Sequence, residues 1–330
     1  MNEAGNSADW LRLDLEQETL RIVGRLRQIL SKDLKRRGLV VGLSGGIDSS
    51  VTAALAVKAL GPDRVFGLLM PERQSDSETL SLSRTVAEAF GIGYAYEDIS
   101  GILESVGFYR RYDEAVRQVV PDYGAGWKSK IAIQHASTGD CFNFFWLVAE
   151  SPAGAMVRQR LPLKAYLEIV AATNFKQRSR KMMEYYHADR LNYAVAGTPN
   201  RLEYDQGFFV KNGDGSADVK PIAHLYKTQV YQLAEYLGVP EIIRRRPPTT
   251  DTYGLPQGQD EFYFPLPYAQ MDVCLYGKNR GVSAEIVARA CDLTADHVRR
   301  VWVDIDTKRT TTRYLQLAPL LIEPVAEITK

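Results

Sequence analysis

The sequence predicts an α/β protein: a doubly wound parallel sheet flanked by helices, with a small helical part near the C-terminal end. Three observations carry that prediction. Apolar runs suited to buried strands alternate with helix-forming stretches between positions 38 and 100. A glycine turn joins the first of those strands directly to a helix. Near the end, VSAEIVARACDLTADHVRRVWVDID reads as helix–loop–helix, a tail more suited to packing on a core or a partner subunit than to binding DNA.

The elements follow in order. Leu11 to Arg37 has Leu15, Ile22, Leu26, Ile29 and Leu30 at helical spacing and a basic end, KDLKRRG, which predicts one long helix. Leu39, Val40, Val41 and Leu43 form a strand, and VTAALAVKAL a helix to Leu60. Gly61-Pro62-Asp63 is a turn, VFGLLMP (65–71) a second buried strand, Asp76 to Phe90 a helix, and IGYAYEDI a short third strand. From 101 to 162 the alternation is lost among glycines, prolines and the aromatic run CFNFFWLVAE. A long irregular segment inside a compact domain is usually functional or disordered, and these aromatics argue against simple disorder. A lid, a dimerisation element or a docking surface all fit it. The rhythm resumes at Leu163, with a helix over roughly 175–189 and the strand LNYAVAGT (191–198). A loop rich in Gly, Asp and Asn (207–218) follows, then a helix from Tyr226 that puts Val230, Leu233 and Leu237 on one face. The expected organisation is a single domain over 1–310 with an atypical insertion at about 101–162, and a C-terminal tail over 311–330.

Bulk properties exclude several classes. The 330 residues are 45% hydrophobic and 25% charged, with a net charge of +1, so no global field points to nucleic acid or to an anionic membrane. Cys141, Cys274 and Cys291 lack C-x-x-C spacing, which argues against structural zinc and fits a reduced, cytoplasmic setting. The polar, acidic MNEAGNSADW lacks the basic and apolar regions of a signal peptide, and no apolar run approaches membrane-spanning length.

The most informative stretch is LVVGLSGGIDSS (39–50). Gly42, Gly45 and Gly46 leave no side chain to block an anion. Asp48, Ser49 and Ser50 are favoured at a helix N-terminus, where unpaired N–H groups and the helix dipole make a phosphate cradle. Asp48 adds a carboxylate that could hold Mg²⁺ beside the phosphates. No lysine follows the glycines, so this is not a Walker A loop. The string S-G-G-x-D-S instead resembles the loop of the N-type ATP pyrophosphatases, which bind the pyrophosphate that leaves when ATP adenylates a substrate.

Further motifs narrow the resemblance: NFKQRSRKM (174–182), AGTPNRLEYDQGFFVKNGDGSADVKPIAHLYKTQV (196–230), PPTTD (247–251) and QDE (259–261). In this order and spacing they resemble the ammonia-dependent NAD synthetases, over roughly 38–100 and 163–310. The resemblance implies a Rossmann-like fold of the adenine nucleotide α-hydrolase type. It also implies a homodimer with deamido-NAD bound near the subunit interface, and a two-step amidation. The nicotinate carboxylate attacks the α-phosphorus of ATP, and ammonia then displaces AMP from the acyl adenylate. Such a site needs N–H donors, lysines and Mg²⁺ more than covalent chemistry. By the same match, the loop Gly42, Leu43, Ser44, Gly45, Gly46, Ile47, Asp48 and Ser49 cradles pyrophosphate, and Asp48 and Glu203 hold the metal. Thr198, Lys227 and Thr249 contact ATP, Arg180 lies on or near its phosphates, and Asp48 and Lys227 are the catalytic pair. Arg178, Lys211 and Asp218 contact deamido-NAD, and Tyr185 stands near the pyridine ring. Asp214, in the NGDG turn, is either a turn former or a substrate contact.

The chain also departs from that pattern. The 101–162 stretch is longer than the family's usual connection. The family's C-terminal His-Lys-Arg, which approaches deamido-NAD, reads Thr307-Lys308-Arg309, keeping Lys308 as a substrate contact, and TTTRYLQLAPLLIEP replaces a proline-rich ending. No glutaminase domain or nucleophile motif is visible, so free or partner-delivered ammonia is the implied nitrogen source. The competing readings are a divergent paralogue that amidates a different carboxylate and a catalytically silent nucleotide-binding subunit. A tRNA-thiolating enzyme would want a persulfide-forming cysteine and a basic face, and neither is apparent.

Overall fold

The computed structural model describes residues 7–75, 77–134, 144–248, 253–255, 258, 263–325 and 327. The chain begins with α1 (Ser7–Trp10) and α2 (Leu15–Gln28). The long helix expected over 11–37 is divided. Asp14 starts α2 by accepting the Gln17 N–H at 3.0 Å, and beyond Gln28 the coil widens into a π-helical segment, Ile29–Leu34, that ends at Lys35 in the left-handed region (φ 51°). Next come β1 (Leu39–Gly42), α3 (Ile47–Leu60), β2 (Val65–Leu69), α4 (Ser77–Ala89) and β3 (Gly93–Tyr96). The 101–162 region has structure of its own: α5 (Ser100–Ser105), α6 (Phe108–Arg117), β4 (Lys128–Gln134), β5 (Phe144–Glu150) and β6 (Met156–Arg160). Then follow α7 (Leu163–Leu191), β7 (Ala194–Ala196), α8 (Arg201–Gln206), α9 (Lys227–Tyr236), α10 (Glu241–Arg245), α11 (Tyr268–Arg280), α12 (Ala284–Cys291) and α13 (Ala295–Gln316).

The parallel sheet runs β3-β2-β1-β7, with Leu39 opposite both Val65 and Ala194. Side chains alternate between its faces. Leu39 and Val41 pack into the layer of α2, α3, α4 and α9, whereas Val40 and Leu68 pack under α5, α6 and α7. Both faces are therefore covered by helices, which is why these strands read as continuous apolar runs. A third cluster built from Met271, Cys274, Leu275, Val287, Val298 and Ile305 joins α11, α12 and α13. Among the described residues no helix is long and apolar enough to cross a membrane.

Three further outcomes differ from the sequence expectation. The stretch read as irregular contains a three-stranded antiparallel sheet, β4-β5-β6, whose Ile131, Leu147 and Ala149 pack on α6 and α7. The helix expected from about 175 begins at Leu163, because Ala165, Ile169 and Ala172 already follow the helical period that buries them. Likewise α13 runs through Gln316, past the position where a tail was expected to begin.

One buried acid ties the C-terminal helices to the sheet domain. Asp272 of α11 accepts from the N–H groups of Lys227 (3.2 Å) and Thr228 (2.7 Å) and from the Thr228 hydroxyl (2.9 Å), capping the start of α9. Burial pushes its pKa up to about 6, against the hydrogen bonds that favour the charged form. An acid whose folded value is raised contributes stability that is fully present below its unfolded pKa and is lost as pH rises through the folded one. Asp272→Asn is therefore expected to flatten part of the pH dependence of stability between about pH 4 and 7. It should also destabilise by about 1–3 kcal/mol at pH 7, where the native acid is charged, because an amide donor then faces a backbone N–H. Urea melts across that pH range check both effects.

Candidate active site

The glycine loop turns the end of β1 into the start of α3. Gly45 takes a left-handed conformation (φ 67°), and a Cβ there would lie 2.7 Å from Leu82 Cβ. Gly45→Ala is accordingly expected to distort the loop, lowering turnover at least tenfold while costing roughly 1–3 kcal/mol of stability by overpacking. Activity assays paired with thermal melts test this. The helix cap is Gly46 rather than Asp48, with no side-chain cap bond. Ser49 and Ser50 instead donate back to the Gly46 carbonyl at 3.0 and 2.8 Å, and Ser44 and Ser49 share a hydroxyl contact at 3.1 Å. These bonds hold the turn open towards a cleft of about 1460 Å³.

Two distant segments converge on Asp48. The Lys227 ammonium, buried at the first turn of α9, donates to its carboxylate, and Asn200 Nδ2 donates at 3.3 Å. Asn200 in turn caps α8: its side chain accepts from the N–H groups of Leu202 and Glu203, and Glu203 Oε2 accepts from the Asn200 N–H at 3.1 Å. That capping box fixes Glu203 in a half-buried position near Asp48. Burial, then the Asp48 charge, push the Glu203 pKa up to about 8. For Lys227 burial alone would favour the neutral amine, but the two carboxylates outweigh it and raise its pKa.

A long row of α7 side chains forms one wall. Arg180 Nε donates to the Met70 carbonyl at 3.1 Å, at the C-terminal end of β2. Lys181 donates to Glu184 at 2.5 Å with both side chains buried, and a Cβ at Gly42 would lie only 2.9 Å from Glu184 Oε1. Lys176 pairs with Glu72 at 2.7 Å, and Tyr109 donates to the same carboxylate at 2.9 Å, which pins the segment after β2 to α6 and α7. Sequence reasoning missed both ion pairs. The i,i+3 spacing of Lys181 and Glu184 offered a local hint, whereas Glu72 and Lys176 are joined only by folding.

The remaining sequence-predicted residues divide. Gly42, Leu43, Ser44, Gly46, Ile47, Asp48, Ser49, Thr198, Glu203 and Lys227 line the cleft. Arg178, Arg180, Lys211, Asp214 and Lys308 also line it. Arg178 Nε donates to the Lys211 carbonyl at 3.3 Å, and Lys211 Nζ donates to the Tyr314 carbonyl at 2.8 Å. Asp214 is half-buried and accepts the Val210 N–H at 2.7 Å, the turn-forming role. Lys308 donates to the Tyr263 carbonyl and to Asp304, each at 2.6 Å, and burial lowers its pKa. Tyr185 and Asp218 stand apart from the cleft lining: the Tyr185 hydroxyl donates to Asp218 at 3.3 Å, and Asp218 also accepts the Val195 N–H at 2.8 Å. Thr249 lies outside the described residues, as do Cys141 and residues 259–261.

A parallel sheet whose first strand runs through a glycine turn into a helix, with two acids and a buried lysine gathered at that turn, defines an α/β enzyme. The family model described as NAD synthase matches residues 19–126 and 151–312. An NH₃-dependent NAD⁺ synthetase of Rhizobium meliloti (strain 1021) is 61% identical over 322 residues, spanning 98% of this chain and 96% of the relative. The protein of the same name from Thermotoga maritima is 38% identical over 251 residues, or 76% of this chain and 83% of that one. Among solved structures, the NH₃-dependent NAD synthetase of Campylobacter jejuni shares the fold with a TM-score of 0.62 at 20% identity, covering 94% of this chain and 100% of that chain. The chain belongs to the NAD synthase family.

Proposed function

We propose that this chain amidates deamido-NAD to NAD with ammonia, consuming ATP and releasing AMP and pyrophosphate. The observation that carries the reading is the convergence of Asp48, Glu203 and Lys227 beside the glycine loop, in a chain of this family. In the first step a carboxylate oxygen of the pyridine ring bonds to the α-phosphorus, and the bond to the β-phosphate oxygen breaks. Backbone N–H groups of the loop and the Lys227 ammonium offset the charge that gathers on the departing pyrophosphate. In the second step ammonia attacks the acyl carbon, AMP leaves, and the nitrogen sheds a proton.

Asp48 and Glu203 fit a magnesium ion, which takes one or two carboxylates and completes its shell with water and phosphate oxygens. Glu203 shows the unfavourable side of two half-buried acids held close together, which a cation would relieve. When bound, the ion supplies charge neutralisation at the phosphates. Arg180 lies on the phosphate side, near the loop, with Thr198 and Thr249 as further ATP contacts. Arg178, Lys211, Asp214 and Lys308 belong to the acceptor side. Tyr185 and Asp218, outside the cleft of one chain, are assigned to a substrate region completed by a second copy in a homodimer. We assign residues 1–310 to one domain and the protein to the cytoplasm.

The test is substrate-dependent pyrophosphate release, with deamido-NAD compared against a panel of other carboxylates. Release of AMP and pyrophosphate with deamido-NAD and ammonia supports the reading. Release only with another acid overturns the acceptor assignment, and production of ADP and orthophosphate overturns the adenylation chemistry as well.

A further inference from the structure

Lys227 is held at two points by the first turn of α11. Tyr268 and Asp272 lie four residues apart on that helix, so their side chains share one face. Asp272 accepts the Lys227 N–H at 3.2 Å and fixes the backbone from which the lysine springs. Tyr268 meets the other end of the same side chain: the Lys227 ammonium stands over its ring, 5.0 Å from the centroid. The ring is set in turn by the buried Phe264, with centroids 5.6 Å apart. The Tyr268 hydroxyl is buried and has no hydrogen-bond partner among the described residues. What this tyrosine offers the site is its ring.

We propose that Tyr268 is a positioning residue for Lys227, its ring holding the lysine ammonium in place beside the glycine loop. The proposal rests on Lys227 acting on the phosphates of ATP. A cation is drawn to the face of an aromatic ring by the ring's quadrupole, and more strongly where water is excluded, as it is around this buried lysine. A further carboxylate in the place of the ring would add a full negative charge and repel the phosphates that the lysine has to meet. The ring attracts the cation while carrying no net charge, so the ammonium keeps the charge that a departing pyrophosphate calls for. Asp48 and the ring together define one place for that ammonium. The helix α11 thereby acquires a role beyond packing: through Asp272 and Tyr268 it sets both the root and the tip of the lysine.

The experiment measures kcat/KM for ATP and KM for deamido-NAD in Tyr268→Leu, Tyr268→Phe and Lys227→Met. It adds fluorinated forms of Tyr268→Phe that bear one, two or three ring fluorines. Fluorine draws electron density from the ring face and leaves its shape nearly unchanged, so a packing role would not respond to it. Tyr268→Leu is expected to lower kcat/KM for ATP about tenfold or more, with the KM for deamido-NAD within about twofold. Tyr268→Phe restores the ring, so it should recover most of that loss and melt no lower, because the hydroxyl has no bond to lose. Along the fluorine series kcat/KM for ATP should fall step by step. A level series, or equal values in Tyr268→Phe and Tyr268→Leu, overturns the positioning role. The series decides the matter even if Tyr268→Leu fails to fold. An unchanged kcat/KM for ATP in Lys227→Met shows instead that the phosphate role of the lysine has failed, and the role of Tyr268 falls with it.

Discussion

Asp48→Asn is expected to abolish amidation, a loss of at least about a thousandfold in kcat, while leaving the fold intact. The substitution keeps size and hydrogen-bonding shape but removes the charge that faces the Lys227 ammonium and, on our reading, the metal. Transition-state charge at the phosphates then loses two organised partners together, since a single preorganised donor is already worth about 10²–10³ in kcat. Glu203→Gln makes the companion test. Glutamine can still complete the capping box with Asn200, so α8 should keep its start, and any loss of activity reports the missing charge. The measurement is pyrophosphate release over a Mg²⁺ titration, with circular-dichroism melts as the fold control. Rates near those of the unaltered protein in either variant would mean that the metal assignment is wrong.

Lys227→Ala carries the second large effect. Its ammonium is buried at the head of α9, contacts Asp48, and lies 5.0 Å from the Tyr268 ring centroid. Losing it should remove about 2–4 kcal/mol of transition-state stabilisation, read as a fall of about 30- to 1000-fold in kcat/KM for ATP. Stability should respond in a second way. The two neighbouring acids would lose their counter-ion, and an uncompensated buried charge costs several kcal/mol when one partner is removed. Lys227→Met keeps the stem and isolates the charge. A kcat/KM for ATP unchanged in both variants would sink the phosphate role.

How much of this was legible beforehand depends on the range of the interactions. The run from Leu39 to Ser50 announces itself because strand, glycine turn and helix start are contiguous and each residue type has a local reason to be there. The insertion shows in the sequence only as a break in the alternation, although Phe145, Leu147 and Ala149 alternate as a half-buried strand should. Short apolar runs cannot be told from other structure by periodicity alone, and pairing with β4 and β6 supplies the missing constraint. Helix limits were also displaced, because tertiary burial of Ala165 and Ile169 extends α7 well before the segment where propensity alone would start it.

The sequence by itself determined the fold class, the glycine turn that opens α3 and the class of enzyme, since backbone geometry and residue type decide the turn within a dozen positions. Only the tertiary structure decided that Lys227 meets Asp48, that Lys176 meets Glu72, and that Phe145 stacks on Tyr166. Each of those contacts joins separate elements, and its geometry exists only once the sheet and its helical layers have closed. It also decided which assigned residues share a cleft and which, like Tyr185 and Asp218, turn elsewhere. A side chain's type travels with the chain, but its neighbours are set by packing.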